Sequence, residues 1–180
     1  LAEDDQGILW IGSSTGVWST SVASPGIFKQ HSTLHSRNFY IEDNRWLWIG
    51  TSNGLFRFSI KEKKLIPVKT KHKEFFDLET NIGICRVLKD RDGILWIATS
   101  ASGLFEYNAR LDKLTHHTAN SKQTGSISGN QIRALYIDKK GRFWIGAKSD
   151  GLNLFEPTTR TFKTVSSPHQ LPSNSIYNIV

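Results

Sequence analysis

Four times along this chain an acidic residue is followed, across a short turn, by a strand centred on tryptophan, isoleucine and a small residue. The first two copies read Asp4-Asp5-Gln6-Gly7-Ile8-Leu9-Trp10-Ile11-Gly12 and Glu42-Asp43-Asn44-Arg45-Trp46-Leu47-Trp48-Ile49-Gly50. The last two read Asp90-Arg91-Asp92-Gly93-Ile94-Leu95-Trp96-Ile97-Ala98 and Asp138-Lys139-Lys140-Gly141-Arg142-Phe143-Trp144-Ile145-Gly146. A second glycine then opens another apolar stretch in every copy: Gly16-Val17-Trp18, Gly54-Leu55-Phe56, Gly103-Leu104-Phe105 and Gly151-Leu152-Asn153-Leu154-Phe155. The equivalent tryptophans stand 38, 48 and 48 residues apart. A period of this length is that of a four-stranded propeller blade, and it constrains the fold more than any other feature.

Local patterning agrees. No window sustains apolar residues at helical spacing without a glycine, proline or turn cluster intervening. In the Leu-Trp-Ile-Gly cores neighbouring residues are all apolar or small, so both faces of that strand must be covered. Sheets stacked face to face meet that demand. The third copy sets the pattern: residues 84–88 form an inner strand, and Asp90-Arg91-Asp92-Gly93 makes a turn with Asp first and Gly last. The Trp96 strand follows, then a third strand from Leu104 to Tyr107 and a more polar outer strand over residues 114–118. The outer strand of each copy is expected to be the most polar, as a solvent-facing edge should be.

The expected architecture is therefore all-β, a β-propeller segment of four four-stranded blades forming a single domain over residues 1–180. The repeats cover approximately 1–36, 37–80, 81–128 and 129–173, and residues 174–180 begin a further inner strand. Ser173-Asn174-Ser175-Ile176 matches Gly129-Asn130-Gln131-Ile132, whereas Leu1-Ala2-Glu3-Asp4 reads as the tail of an inner strand whose start is missing. That break, and the absence of methionine even at position 1, favour a piece of a larger propeller over a four-bladed ring closed by its own last strand.

The formal charge of +7 would suit nucleic acid, anionic lipid or an acidic ligand and does not choose among them. Six lysines lie within residues 61–73, but only Phe75 and Phe76 follow them. Nucleic-acid binding wants aromatics interleaved with the basic groups, so this run is expected to be a solvated edge, and no nucleic-acid partner is expected. The single Cys85 excludes an intrachain disulfide framework and is expected as a small buried hydrophobe. No apolar run approaches a membrane span, and the acidic N-terminus does not resemble a secretory signal.

An inner strand opening on Asn, then Asp-x-x-Gly-x-Leu-Trp-Ile-Gly, then Gly-Leu and an outer strand, resembles the two component regulator propeller repeat. The resemblance covers essentially the whole chain; Ala98, the Val17-Trp18 pair and the shortened second turn depart from it. It implies a sensor region of a bacterial membrane-bound regulator, commonly a hybrid histidine kinase or diguanylate cyclase, with seven-bladed propellers on the periplasmic or extracytoplasmic side. In such proteins the propellers perceive a ligand, often a glycan fragment, and pass the signal to an output domain.

Asp90 to Gly93 lacks the further oxygen ligands of a calcium loop and reads as turn chemistry. The four repeated tryptophans are expected in inter-blade packing; Trp18 and Trp46, outside the repeated position, are the ones to watch. None of His31, His35, His72, His116, His117 and His169 has metal-ligand spacing, and no metal or cofactor is expected. Nucleophile-elbow and phosphate-loop motifs are absent. A propeller lyase of the streptogramin-lyase kind remains the enzyme alternative, with His169 the residue to suspect, and a protein-interaction scaffold the third reading. In a propeller the loops joining second to third strands gather with the inner strands at one end. That nominates Asn53, Lys148 and Asp150 from the loops and Arg37, Arg86, Arg133 and Tyr177 from the inner strands, for a polyhydroxylated or anionic ligand. Exposed strand stubs at both ends would also permit a homodimer.

Overall fold

The computed structural model describes residues 1–52, 54–68, 83–166 and 171–179. Among them there is no helix, and sixteen strands form four four-stranded antiparallel sheets. The first sheet holds β1 (Ala2–Glu3), β2 (Ile8–Ser13), β3 (Gly16–Ser21) and β4 (Ser24–Ser32), and the second β5 (Ser36–Glu42), β6 (Trp46–Thr51), β7 (Gly54–Ser59) and β8 (Lys64–Pro67). The third holds β9 (Ile84–Lys89), β10 (Leu95–Thr99), β11 (Leu104–Asn108) and β12 (Lys113–His117). The fourth holds β13 (Ile132–Ile137), β14 (Phe143–Ala147), β15 (Leu152–Glu156) and β16 (Thr161–Val165). In every sheet strands adjacent in sequence are adjacent in space, so each is a simple meander, a blade. The chain divides into two compact units, Leu1–Val87 and Leu88–Val180.

Each unit has a core at the seam between two blades. In the first unit Trp10, 1% exposed, is buried with Phe39, Ile49, Phe56 and Phe58 of the second blade. In the second, Trp96, 2% exposed, packs on Phe143, Ile145, Phe155 and Phe162 of the fourth blade. The repeated indoles are therefore packing elements. Trp48 is buried as well, and Trp144 is half-buried. Cys85 is buried in β9.

A repeated hydrogen-bond clamp sets each indole. The acidic residue at the start of the turn lies six positions before the tryptophan, and its carboxylate accepts the indole Nε1–H: Asp4 from Trp10 at 2.9 Å, Glu42 from Trp48 at 2.6 Å, Asp90 from Trp96 at 2.7 Å and Asp138 from Trp144 at 3.0 Å. In the three Asp copies the other carboxylate oxygen caps the turn. Oδ1 of Asp90 accepts the backbone N–H groups of Asp92 and Ile94 at 3.0 and 2.9 Å, and Asp4 and Asp138 do the same for their own turns. These bonds, led by that of the Trp144 indole, hold the Asp138 carboxyl well below the usual carboxylate range. Spending both carboxylate oxygens in this way leaves the buried indole N–H satisfied.

The second copy departs from the motif for a local reason. In the other three the fourth turn residue is a glycine in the left-handed region, as at Gly93 with φ +80°. In the second copy Asp43 and Asn44 themselves take positive φ, 49° and 51°, so Arg45 is released from that requirement and need not be glycine. The outer strand of the first blade departs from expectation. Although β4 lies at the sheet edge, Ile27 and Phe28 on it are 79% and 55% exposed, so that strand is not uniformly polar.

In the second unit the glycine before each third strand bonds to an asparagine further along the chain, Asn130 ahead of β13 and Asn174 in the stretch 171–179. That stretch forms no strand, so Tyr177 does not lie on an inner strand. Gly103 donates its N–H to the Asn130 carbonyl at 2.8 Å, and Gly151 to that of Asn174 at 2.9 Å. A side chain at Gly103 would run into the His117 carbonyl, and its φ of +79° disfavours any residue with a Cβ. Asn153, fully buried where other copies carry an aromatic ring, accepts the N–H of Ser128 at 3.0 Å and donates to its hydroxyl at 2.8 Å. It pins the connector between the third and fourth blades.

Candidate ligand-binding site

The nominated residues fall in both units. In the first unit Arg37 lies on β5, and Asn53 lies outside the described residues. Arg86, on β9, is half-buried and donates from its guanidinium to the neighbouring Cys85 carbonyl at 3.0 Å. In the second unit Arg133 lies half-buried on β13, and Lys148 and Asp150 occupy the loop between β14 and β15. The structure brings these three elements to one strand end. Lys148 donates its backbone N–H to the Gln131 carbonyl at 2.8 Å, and the Asp150 carboxylate fills the space a side chain on Gly129 would need. Tyr177 is 63% exposed and follows Ile176, whose N–H donates to the Ala147 carbonyl at 3.2 Å.

Of the two tryptophans outside the repeat position, Trp46 lies under the guanidinium of Arg57, 4.4 Å from its ring centroid, and Trp18 is half-buried on β3. His72, His169, Phe75 and Phe76 lie outside the described residues. No group of three or more metal-ligating side chains occurs among the described residues, and among them there is no helix long and apolar enough to cross a membrane.

A polar cluster in the second unit was not anticipated from the sequence. Trp96 on β10 stands opposite Glu106 on β11, and Glu106 opposite Thr115 on β12. His117, two residues along, is thus a diagonal neighbour of Glu106 on the same face of the sheet. The Glu106 carboxylate meets the His117 Nε2 at 3.1 Å and accepts from the guanidinium of Arg160, in the turn between β15 and β16 of the next blade. His117 stacks on Trp96 with ring centroids 5.8 Å apart. Burial alone would raise the Glu106 pKa, but the His117 hydrogen bond and the charge of Arg160 outweigh it and hold the carboxyl below its ordinary value.

The first unit repeats the frame with different chemistry. Ser19 stands opposite Trp10 where Glu106 stands opposite Trp96, and its hydroxyl bonds the His31 imidazole at 2.8 Å. His31 packs on Trp10 and Phe58, and Lys63, at the turn position equivalent to Arg160, lies 5.5 Å above the Trp10 ring. Burial, then the charges of Lys63 and Lys29, lower the His31 pKa. The signal that could have exposed both clusters is the repeat register: the residue three positions after the second glycine always faces the seam indole.

Four antiparallel meander sheets with this seam packing define a β-propeller segment. The fold matches, with a TM-score of 0.75, the extracellular domain of a protein assigned as a hybrid two component system from B. thetaiotaomicron, at 22% identity over 99% of this chain and 23% of that one. It also matches virginiamycin B lyase from Staphylococcus aureus with a TM-score of 0.68, at 9% identity over 93% of this chain and 55% of that one. Residues 126–149 match the family described as two component regulator propeller. A stretch of 66 residues, 37% of the chain, is 36% identical to Histidine kinase P4 of Formosa agariphila; the chain spans 5% of that relative's length.

Proposed function

We propose that this chain is part of the extracytoplasmic, ligand-sensing region of a bacterial two component signalling protein, and that it binds its ligand without transforming it. The observation that carries the reading is the gathering, in the second unit, of the β13 arginine Arg133 with Lys148 and Asp150 of the β14–β15 loop at one strand end. Such a set offers forked cationic donors and one carboxylate acceptor, suited to hydroxyl and acid groups of a small molecule or glycan fragment. The two component regulator propeller repeat supports the signalling context. The partners of the segment are then the remaining blades and signalling domains of a longer chain, through which it is tied to a membrane, and a second copy of the chain in a homodimer. Nucleic acid is not among them.

A thermal-shift screen of the 180-residue chain against glycan oligomers tests this. A ligand at a hundred times its Kd stabilises the folded state by about 2.7 kcal/mol, a rise of roughly 5–10 °C. The paired change Arg133→Ala with Lys148→Ala should remove that rise. If no glycan or small anion raises the melting temperature while a second protein does, an interaction scaffold replaces the sensor.

A further inference from the structure

At the other end of the same strands the second unit holds a crevice of about 350 Å³. Its walls are the turns that precede β10 and β14, and the β15–β16 turn closes one side. β14 separates this crevice from Lys148 and Asp150 by five residues, about 16 Å of extended chain, so the two places are distinct. We infer that this crevice is a second binding site, for a small carboxylate-bearing polyol the size of one sugar ring.

The charges decide its chemistry. Asp90, Asp92 and Glu106 contribute carboxylates and Arg91, Lys140 and Arg160 contribute cations, so the formal count is balanced, but the groups are not equally free. Both oxygens of Asp90 are spent on its turn and on Trp96, and Glu106 is engaged by His117 and Arg160. The side chains of Arg91 and Lys140 are exposed, and neither has a hydrogen bond or ion pair within the described residues. What remains for a ligand is two uncommitted cations, the outer edge of the Arg160 guanidinium and, as acceptors, the Asp92 carboxylate and the Glu106 oxygen that meets neither His117 nor Arg160. That excess of donors over acceptors selects an anion, and the Asp92 carboxylate serves its hydroxyls. Apolar contact comes from half-buried Ile94 and Ile137, against which the C–H face of a ring can lie. The volume falls at the small end of the range for ligand pockets.

The first unit provides an internal contrast. There the equivalent turns carry Asp5 and Asn44 in place of Arg91 and Lys140, and they are joined directly, Asp5 N–H donating to the Asn44 side-chain oxygen at 3.3 Å. The same frame is thus bridged in one seam, where the turn cation Arg45 is paired with Asp43 at 3.4 Å, and in the other carries two cations unpaired among the described residues, Arg91 and Lys140.

Titration calorimetry of the 180-residue chain with glucuronate, glucose and inorganic sulfate tests the site. Glucuronate should bind saturably, and glucose and sulfate at least roughly tenfold more weakly, a difference of about 1.4 kcal/mol. Changing Arg91→Ala with Lys140→Ala should weaken glucuronate at least tenfold without moving the melting temperature, whereas Arg133→Ala with Lys148→Ala should leave it unchanged. Absence of saturable glucuronate binding, equal binding of glucose or of sulfate, or loss caused by the Arg133 and Lys148 changes instead would each overturn the assignment. Because the two variant pairs lie at opposite strand ends, failure here is distinguishable from failure of the sensing site.

Discussion

Changing Asp90→Asn tests whether the clamp on the seam indole is a source of stability or an incidental contact. The side chain keeps its shape but exchanges one oxygen for an NH2 group. If the amide oxygen stays on the backbone N–H groups of Asp92 and Ile94, the NH2 faces the Trp96 indole N–H, and two donors oppose each other where a 2.7 Å bond stood. If the amide flips, the indole regains an acceptor and the turn loses two. The first arrangement strands a donor against a ring that is 2% exposed, and the second sets the amide NH2 against the two backbone donors of the turn. Hydrogen bonds to charged groups contribute about 1.5–3 kcal/mol, and an unmet buried donor costs a similar amount, so the expected loss is about 2 kcal/mol. Trp96→Phe removes the donor together with part of the ring and costs roughly 3 kcal/mol by lost packing. In that background Asp90→Asn no longer opposes an indole and should cost only about 0.5 kcal/mol. Urea unfolding of the four proteins, followed by far-ultraviolet circular dichroism, therefore should return a coupling energy near 1.5 kcal/mol. Strictly additive losses, within about 0.5 kcal/mol, would show that the carboxylate serves the turn alone and would refute the clamp.

Gly103→Ala should cost roughly 2 kcal/mol in the same assay, because the new methyl meets the His117 carbonyl at an unfavourable φ. Arg45→Gly should bring no gain, since Arg45 lies outside the left-handed region that its counterparts occupy. Acidification should expose Glu106. Its folded pKa lies below its unfolded one, so its contribution is complete above the ordinary carboxylate range and is lost as pH falls through the lowered value; Glu106→Gln should flatten that part of a melting-temperature profile. The same sign holds for His31, which the fold keeps neutral, and its imidazole should titrate by NMR below a free histidine and move upward in Lys63→Gln. Replacing exposed Ile27 and Phe28 on the β4 edge by lysine should leave the melting temperature within about 1 °C while reducing self-association in light scattering.

The strand plan was legible because every blade restates it: a turn acid, an indole six residues on and a second glycine at a fixed interval locate three strands without any long-range information. The inner strand at Ile84 and the third strand at Leu104 begin where the motif places them. The exposed apolar pair on β4 was not legible, because an edge strand makes one set of ladder bonds and its side chains answer to no facing sheet. Nor was the cluster of Glu106, His117 and Arg160. Its members come from two blades, and only the cross-strand register puts Glu106 and His117 on one face. The gathering of Arg133, Lys148 and Asp150 rested on the rule that alternate loops of a meander share an end, and within the second unit those segments do meet.

The acid and the indole that it orients lie in the same hairpin, so each blade finishes its docking surface using its own sequence. A newly duplicated copy would arrive with that surface already prepared and would need only a compatible neighbour. Such an arrangement allows propellers to grow by whole modules, while the residues that distinguish one seam from the next drift toward new specificities.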